Sequence, residues 1–351
     1  MGAADTVFVA ELAQSFPSNP HVTQSNPPRS FFVDETGATE HDLSLDEVNR
    51  VAAAGKGHLW VDIDNCEPEQ VEFLKGIHGL HPLAVEDALA YQSRPKIEEY
   101  ENCLFVIIVG VRFHEKTPDP YDLETYAMCF FLAKHLVITV HAGKSTAVED
   151  VGARYKKNPD LMSRGSDRLA HAVMDASIDE YFPLLDKIDD FVDNLEQRVI
   201  VEGDQSAMQD IFAVKRLVLS LRKHIGPERE VFNILTNRPS ALLSPESQVY
   251  FRDIYDHVLR IYDNIDTYRD LLSSVLDSYL TQVSNRLGKV SKGLAVVATI
   301  SLPFVVVSGM WGMNFQHIPL SDYPHAFWLM LVIQLALGFL LILGLRLFKL
   351  L

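Results

Sequence analysis

Along the chain the spacing of apolar positions changes twice, and each change marks a different kind of structure. Between residues 31 and 141, runs dense in β-branched and aromatic residues alternate with short stretches of helical spacing. FFVDE, HLWVDIDN, CLFVIIVGVRF, YAMCFFLA and HLVITVH predict strands. SLDEVNRV predicts a helix between the first two, EPEQVEFLKGIHG and HPLAVEDALA predict helices between the second and third, and Glu149–Lys157 adds a short one. The interleaving predicts an α/β domain over residues 31–165 with a mixed or largely antiparallel sheet. Before it, residues 1–30 read as a loose arm, because FPSNPHVTQSNPPRS is rich in Pro, Ser and Asn.

From residue 166 to 290 the pattern is helical alone, a stalk of long helices. Leu185, Ile188, Val192, Leu195 and Val199 step by three and four, and Pro183 predicts a local kink. Asp204 is a candidate cap for the next helix, which runs towards Gly226-Pro227. Ser244-Pro245-Glu246 then places proline at a first helical position. In the helix it starts, Ile254, Val258, Ile261, Ile265, Tyr268, Leu272, Val275 and Tyr279 alternate steps of four and three. That repeat suits the seam of a coiled coil or a face packed within one subunit. Continued into the apolar run that follows, the helix would reach about 100 Å at roughly 1.5 Å per residue.

The third pattern is continuous hydrophobicity. Gly293 to Phe315 and Ala326 to Leu345 contain no charged residue, and each is long enough for a bilayer. Membrane spans are placed at 291–313 and 326–346, with a loop at 314–325 and a tail at 347–351. Arg286, Lys289 and Lys292 precede the first span and Arg346 and Lys349 follow the second, whereas the loop offers only Asp322, His317 and His325. The positive-inside rule therefore puts both termini in the cytoplasm, in an inner or plasma membrane. Trp311, Tyr323 and Trp328 fall where an outer aromatic belt belongs.

Charge narrows the function. Asp and Glu total 47 against 31 Lys and Arg, a net charge of −16, which excludes a nucleic-acid partner and suits attraction of cations. Cys66, Cys103 and Cys129 lie in or beside apolar runs and read as reduced core thiols. The N-terminus has no basic start and no long apolar run, so it is not a secretory signal, and Met1-Gly2 with Thr6 is a loose myristoylation pattern. HAGKSTAVED holds part of a phosphate loop, but Ile138 stands where that loop needs glycine; no catalytic constellation points to an enzyme.

One pair of spans cannot enclose a water path, so transport requires an oligomer. In the first span Ser291, Ala295, Ala298 and Gly309 fall near one face, with Leu294, Leu302 and Val305 beside them. Small residues permit close helix approach, and rings of leucine can gate by dewetting. The other reading of this face is a mixture of lipid and neighbour contacts without a pore.

Trp311-Gly312-Met313-Asn314-Phe315 follows a span containing Leu302-Pro303-Phe304, and both spans stand at the C-terminal end behind an acidic domain. In this the chain resembles the CorA family of magnesium transporters. HPLAVEDALAYQSRPKIEEYEN, DASIDEYFPLLDKIDDFVDNLE and YFRDIYDHVLRIYDNIDTYRDLLSSVLDSYL resemble family segments in the same order. The resemblance implies a homopentameric channel in a lipid bilayer, with Gly312, Met313 and Asn314 as selectivity ring and Ser291, Leu294, Ala298, Leu302, Val305 and Gly309 along the pore and gate. It implies uptake of Mg²⁺, and of Co²⁺ or Ni²⁺, driven by the membrane potential, with no organic cofactor. It also implies regulatory Mg²⁺ between neighbouring copies at Asp87 and Asp253, with Glu86 and Asp175 as helpers. Departures are Trp311 in place of tyrosine, HIPLSD in place of a more acidic loop, and Gly288, Ser291 and Leu302 where Asn, Met and Met are common. The run Asp186, Asp189, Asp190, Asp193 reads as a solvated helix face. A related zinc importer with His317 and His325 at its mouth, and a membrane-anchored cation sensor that does not conduct, are the alternatives.

Overall fold

A computed structural model describes residues 27–64, 68–89, 94–114, 121–202, 204, 206–313 and 323–347. The myristoylation pattern, most of the N-terminal arm, Cys66, Asn314, His317, Asp322 and Lys349 lie outside the described residues. The chain forms two compact units, one of residues 1–197 and 206–273, the other of 198–205 and 274–351.

The first unit is built on a seven-stranded sheet with strand order β2-β1-β3-β7-β6-β5-β4. Its strands are β1 (Arg29–Val33), β2 (Thr39–His41), β3 (His58–Asp64), β4 (Lys96–Glu99), β5 (Leu104–Phe113), β6 (Leu123–Leu132) and β7 (Leu136–His141). Among the described residues only β3 and β7 pair in parallel, and every other pair is antiparallel. The two edge strands, Thr-Glu-His of β2 and Lys-Ile-Glu-Glu of β4, escape the sequence pattern because segments this short, with at most one apolar residue, show no apolar alternation. Between and after the strands run α1 (Leu45–Ala54), α2 (Pro68–Gly76), α3 (Pro82–Leu89) and α4 (Thr146–Lys157). Ser44 opens α1 with a capping box to Glu47. Cys103 and Cys129 are buried free thiols, and burial pushes Cys103 up to about 12.

One buried carboxylate inside this sheet gathers three partners. Asp62 on β3 accepts from Arg29 on β1 (2.6 Å), from Thr139 on β7 (2.6 Å) and from His141 (3.2 Å). Burial alone would lower the His141 pKa, but Asp62 and then Asp64 outweigh it, so the ring is held charged more firmly than usual. The trio ties three strands by charge as well as by backbone.

A second device closes an edge. β4 covers β5 only as far as Ile107, so Val109 lies beyond its reach. The Val109 N–H donates to the Glu228 carboxyl, and the Tyr181 hydroxyl donates to the Val109 carbonyl (2.7 Å). Two side chains thus stand in for a missing strand. Glu228 is fully buried, and that burial pushes its carboxyl up to about 8, against the pull of the Val109 N–H.

The helices follow: α5 (Ser166–Asp179), α6 (Tyr181–Gln197) and α7 (Ala207–Asn237), then α8 (Pro245–Trp311) and α9 (Ala326–Leu347). Pro183 makes no mid-helix kink, because the helix breaks at Glu180 and proline falls in the first turn of α6, where its missing N–H has no partner to lose. Nor does α7 stop at Gly226-Pro227; it runs through to Asn237 with Ile225, Glu228, Val231 and Phe232 all buried, and that packing outweighs the local cost of proline. The seam from Ile254 to Val275 is buried inside its own subunit. Contacts such as Arg222 Nε to Asp266 (2.7 Å) and Phe182 against His257 hold it to α7 and α6. Of the two readings of that repeat, the packed face is the one realised.

In the second unit a π-helical turn spans Arg198–Glu202, and Arg198 pairs with Asp204 at 2.8 Å. Asp204 is therefore not a helix cap; Ser206 holds the N-cap of α7. Past Ser274, α8 runs beside α9 with opposite chain direction, since Gln334 donates to Ser308 (3.1 Å) while Gly338 meets Phe304 four residues earlier on α8. A Cβ at 338 would come within 2.5 Å of the Phe304 ring, so glycine is what lets these helices touch.

Two outcomes test this architecture. The folded pKa of Glu228 lies above its ordinary value of 4.5, so the folded state holds an extra proton between the two, and its contribution to stability is lost as pH rises towards about 8. Glu228→Gln, a mimic of the neutral acid, should therefore gain stability over the parent as pH increases across that window, by up to about 1.4 kcal/mol per unit, read by thermal unfolding of the detergent-solubilised chain. A difference independent of pH would contradict it. Gly338→Leu should lower stability by about 1–3 kcal/mol through forced displacement of Phe304, measurable as a reduced melting temperature.

Candidate functional site

The last turns of α8 carry the positions singled out for a pore. At 100° per residue Ser291, Leu294, Ala298, Leu302, Val305 and Gly309 fall in one stripe roughly 80° wide. All six are exposed, with Leu294 at 68%, Leu302 at 63% and Val305 at 66%. Phe304 and Ser308, which meet α9, lie about a quarter turn away around the helix. The stripe thus faces neither α9 nor its own core. It carries no charge, so it offers a passing cation no strong ligand and, closed into a ring, a wall that water leaves readily.

The end of α8 unwinds towards the polar loop. The Gly312 N–H donates to the Ser308 carbonyl at 3.0 Å, and the Met313 N–H to Met310 at 3.4 Å. Met313 is half exposed, and Asn314, the third member of the expected selectivity ring, lies outside the described residues. On the other side of the loop Tyr323 and Trp328 stand exposed near the start of α9. No part of the apolar stretch of α8 is buried, and Gly338 is the buried residue of α9. A soluble protein does not expose a surface of that size and composition; it requires lipid or other copies against it.

Two clusters in the first unit hold the four nominated carboxylates. The first is a cleft of about 560 Å³ between α3, β4 and the end of α7, lined by Glu86, Asp87, Glu98, Glu99, Tyr100 and Arg238. Glu86 is exposed and Asp87 half-buried. Lys96 Nζ lies 2.5 Å from Asp87 Oδ2 and 2.9 Å from Glu98 Oε1, and the Tyr100 hydroxyl donates to Glu98 Oε2 at 2.7 Å. Bonds from Lys96 and Tyr100 hold Glu98 below the usual carboxylate range, and burial together with Glu98 pushes the Tyr100 hydroxyl up to about 12. Hard oxygen donors of this kind suit Mg²⁺.

The second cluster joins α5 to α8. Single donor atoms of Asp175, Asp179 and His257 all lie within 4.8 Å of one another, and Asp253 stands one helical turn before His257. Burial raises the Asp175 pKa, and the like charges of Asp179 and Asp253 raise it further. Its Oδ1 atom is buried and has no hydrogen-bond partner. A cation placed there would relieve both the repulsion and the orphaned oxygen, so the donor set fits a divalent ion. Asp179 and His257 escape the sequence reading, although Asp175/Asp179 and Asp253/His257 are both i,i+4 pairs and so share a helix face. Only the fold shows that the two faces meet.

Other nominated segments have structural roles. Asp186, Asp189, Asp190 and Asp193 are exposed on α6, as a solvated face should be. In HAGKSTAVED, Ser145 caps α4 by accepting from the Val148 N–H, and Lys144 pairs with Glu149 at 2.9 Å. Those contacts account for its polar residues without a phosphate.

Comparison with known proteins places this geometry. The model of the CorA-like Mg²⁺ transporter protein family matches residues 55–347. The chain is 34% identical over 262 residues to the cobalt/magnesium transport protein CorA of Thermotoga maritima, covering 74% of each chain. It is 30% identical over 300 residues to the putative metal ion transporter YfjQ of Bacillus subtilis, covering 85% of this chain and 92% of the relative. The complete CorA magnesium transporter structure from Methanocaldococcus jannaschii superposes with a TM-score of 0.79 over 92% of this chain and 98% of that one, at 20% identity. The paired α/β unit, long terminal helix and C-terminal apolar hairpin, together with the family match over most of the sequence, make the chain a membrane protein that belongs to the CorA-like Mg²⁺ transporter family, a family of transporters and not of enzymes.

Proposed function

We propose that this chain is a Mg²⁺ uptake channel in which five identical copies surround a water-filled axis lined by the α8 stripe. The observation that supports this reading most is that stripe: six uncharged, exposed positions on one line of α8, leading to Gly312 and clear of the face that α9 covers. In a hairpin that met only lipid, no reason exists for Ser291, Ala298 and Gly309 to share a line with Leu294 and Leu302.

Chemistry accounts for the mouth. Mg²⁺ sheds water reluctantly and prefers oxygen ligands. A ring of Asn314 amide oxygens would present neutral dipoles that hydrogen-bond a hydrated ion without stripping it, whereas a carboxylate ring would hold it too tightly to release. Inward movement needs no nucleotide, because an inside-negative potential gives a divalent ion about 4.6 kcal/mol per 100 mV. Both termini lie in the cytoplasm in this arrangement, with Arg286, Lys289, Lys292 and Arg346 on the inner side. Closure comes from cytoplasmic Mg²⁺ held between Asp87 of one copy and Asp253 of its neighbour, assisted by Glu86 and Asp175, which draws acidic faces together that repel when the ion is absent.

Flux of Mg²⁺ into proteoliposomes under an imposed potential tests the assignment, and absence of flux from a correctly assembled protein would leave a sensor instead. Competition by Zn²⁺, with and without a pH gradient, separates magnesium uptake from zinc import. Asn314→Ala should abolish selection for Mg²⁺ while the oligomer elutes unchanged; retained selectivity removes the ring from the mouth. Asp253→Lys should raise the internal Mg²⁺ needed for half-closure by at least about tenfold, the equivalent of about 1.4 kcal/mol, and undiminished inhibition would exclude that carboxylate from the regulatory site.

A further inference from the structure

Lys96 opens β4, and its ammonium lies against two carboxylates that line the cleft beside α3. It is the shared partner of two carboxylates on different elements, Asp87 Oδ2 at 2.5 Å and Glu98 Oε1 at 2.9 Å. The Phe105 ring centroid lies 5.7 Å from the same nitrogen. Lys96 and Glu98 are two residues apart on one strand and so face the same side, while Asp87 reaches them from the helix opposite. All three charged side chains remain about a third exposed, at 31% for Lys96, 38% for Asp87 and 41% for Glu98, so ions from solution reach them.

We propose that Lys96 is a tethered competitor for the divalent cation. Its ammonium holds the Asp87 carboxylate when no divalent ion is present and shifts onto Glu98 when one arrives, so that Lys96 sets the cation concentration to which the regulatory site responds. This rests on the reading of Asp87 as a regulatory ligand.

The geometry makes the exchange cheap and reversible. An ammonium that leaves Asp87 is not stranded, because Glu98 and the Phe105 face already hold it. The exchange therefore breaks one of two ion pairs, both open to solvent, and such pairs are weak. A compact divalent ion carries twice the charge and accepts several oxygens at once, which a single ammonium cannot match. Burial would lower the Lys96 pKa, but Asp87 and Glu98 raise it beyond that loss, so the competitor stays charged across the physiological range. Without the Lys96 ammonium the cleft that holds Glu86, Asp87, Glu98 and Glu99 would carry one positive charge fewer against those carboxylates, and the site would fill at lower cation concentration.

The test is calorimetric titration of the full-length, detergent-solubilised protein with MgCl₂, with thermal stabilisation by Mg²⁺ as a second readout independent of transport. Lys96→Gln should lower the half-saturating Mg²⁺ concentration about two- to fivefold. Lys96→Arg, whose planar fork grips carboxylates better, should raise it. Arg238→Gln removes a positive charge from the same cleft but pairs with Glu99 at 3.6 Å and not with Asp87, so it should shift the titration less than Lys96→Gln does. An unchanged or increased half-saturation for Lys96→Gln, a decrease for Lys96→Arg, or equal shifts for Lys96→Gln and Arg238→Gln would each overturn the proposal. Asp87→Asn run alongside distinguishes the two levels. If it weakens binding while Lys96→Gln has no effect, the tethered cation is wrong and the regulatory reading of Asp87 stands; if Asp87→Asn has no effect either, both fail.

Discussion

The apolar surface that this chain cannot cover by itself governs the rest of the molecule. From Gly293 to the end of α8, and along nearly all of α9, leucine, valine and phenylalanine side chains lie open on two helices that touch along one narrow line. Water tolerates no such surface, and a bilayer supplies its match. A bilayer, however, offers no drive to bring helices together; close approach there depends on small residues and shape. Gly338 serves that purpose within the hairpin, and the Ser291-Ala298-Gly309 line lies open on α8.

The first unit obeys a different constraint, an excess of acid. With a net charge of −16, carboxylates outnumber the cations available to pair them, and the fold concentrates several of them at two places. At one, Lys96 supplies a single positive charge to two acidic partners. At the other, Asp175 is half-buried beside Asp179 and Asp253 with one oxygen left without a partner. A divalent ion placed there would relieve that repulsion.

The core of the first unit is tied by buried polar groups as well as by apolar packing. Asp62 draws Arg29, Thr139 and His141 into one charged knot across three strands. Glu228 and Tyr181 complete the hydrogen bonding of β5 where β4 ends. Such pairings tie β1, β3 and β7 to one another and β5 to α6 and α7.

Much of this was legible in the residue order. Strand runs, the start of α8 at Ser244-Pro245 and the two uncharged spans depend on local composition and periodicity, which a helix or strand expresses without help from distant residues. The Gly-Met-Asn string and its companions pointed to the family for the same reason: they are contiguous. Tertiary structure alone decided the rest. It settled that the 3.5-residue repeat of α8 packs inside its own subunit, since a seam looks the same whichever helix fills it. It carried α7 past Pro227, because burial of distant side chains exceeds a local propensity cost. And it joined Asp175 and Asp179 to His257, and Asp87 to Lys96, residues whose meeting depends on how elements cross in space, a relation that spacing along one chain does not encode.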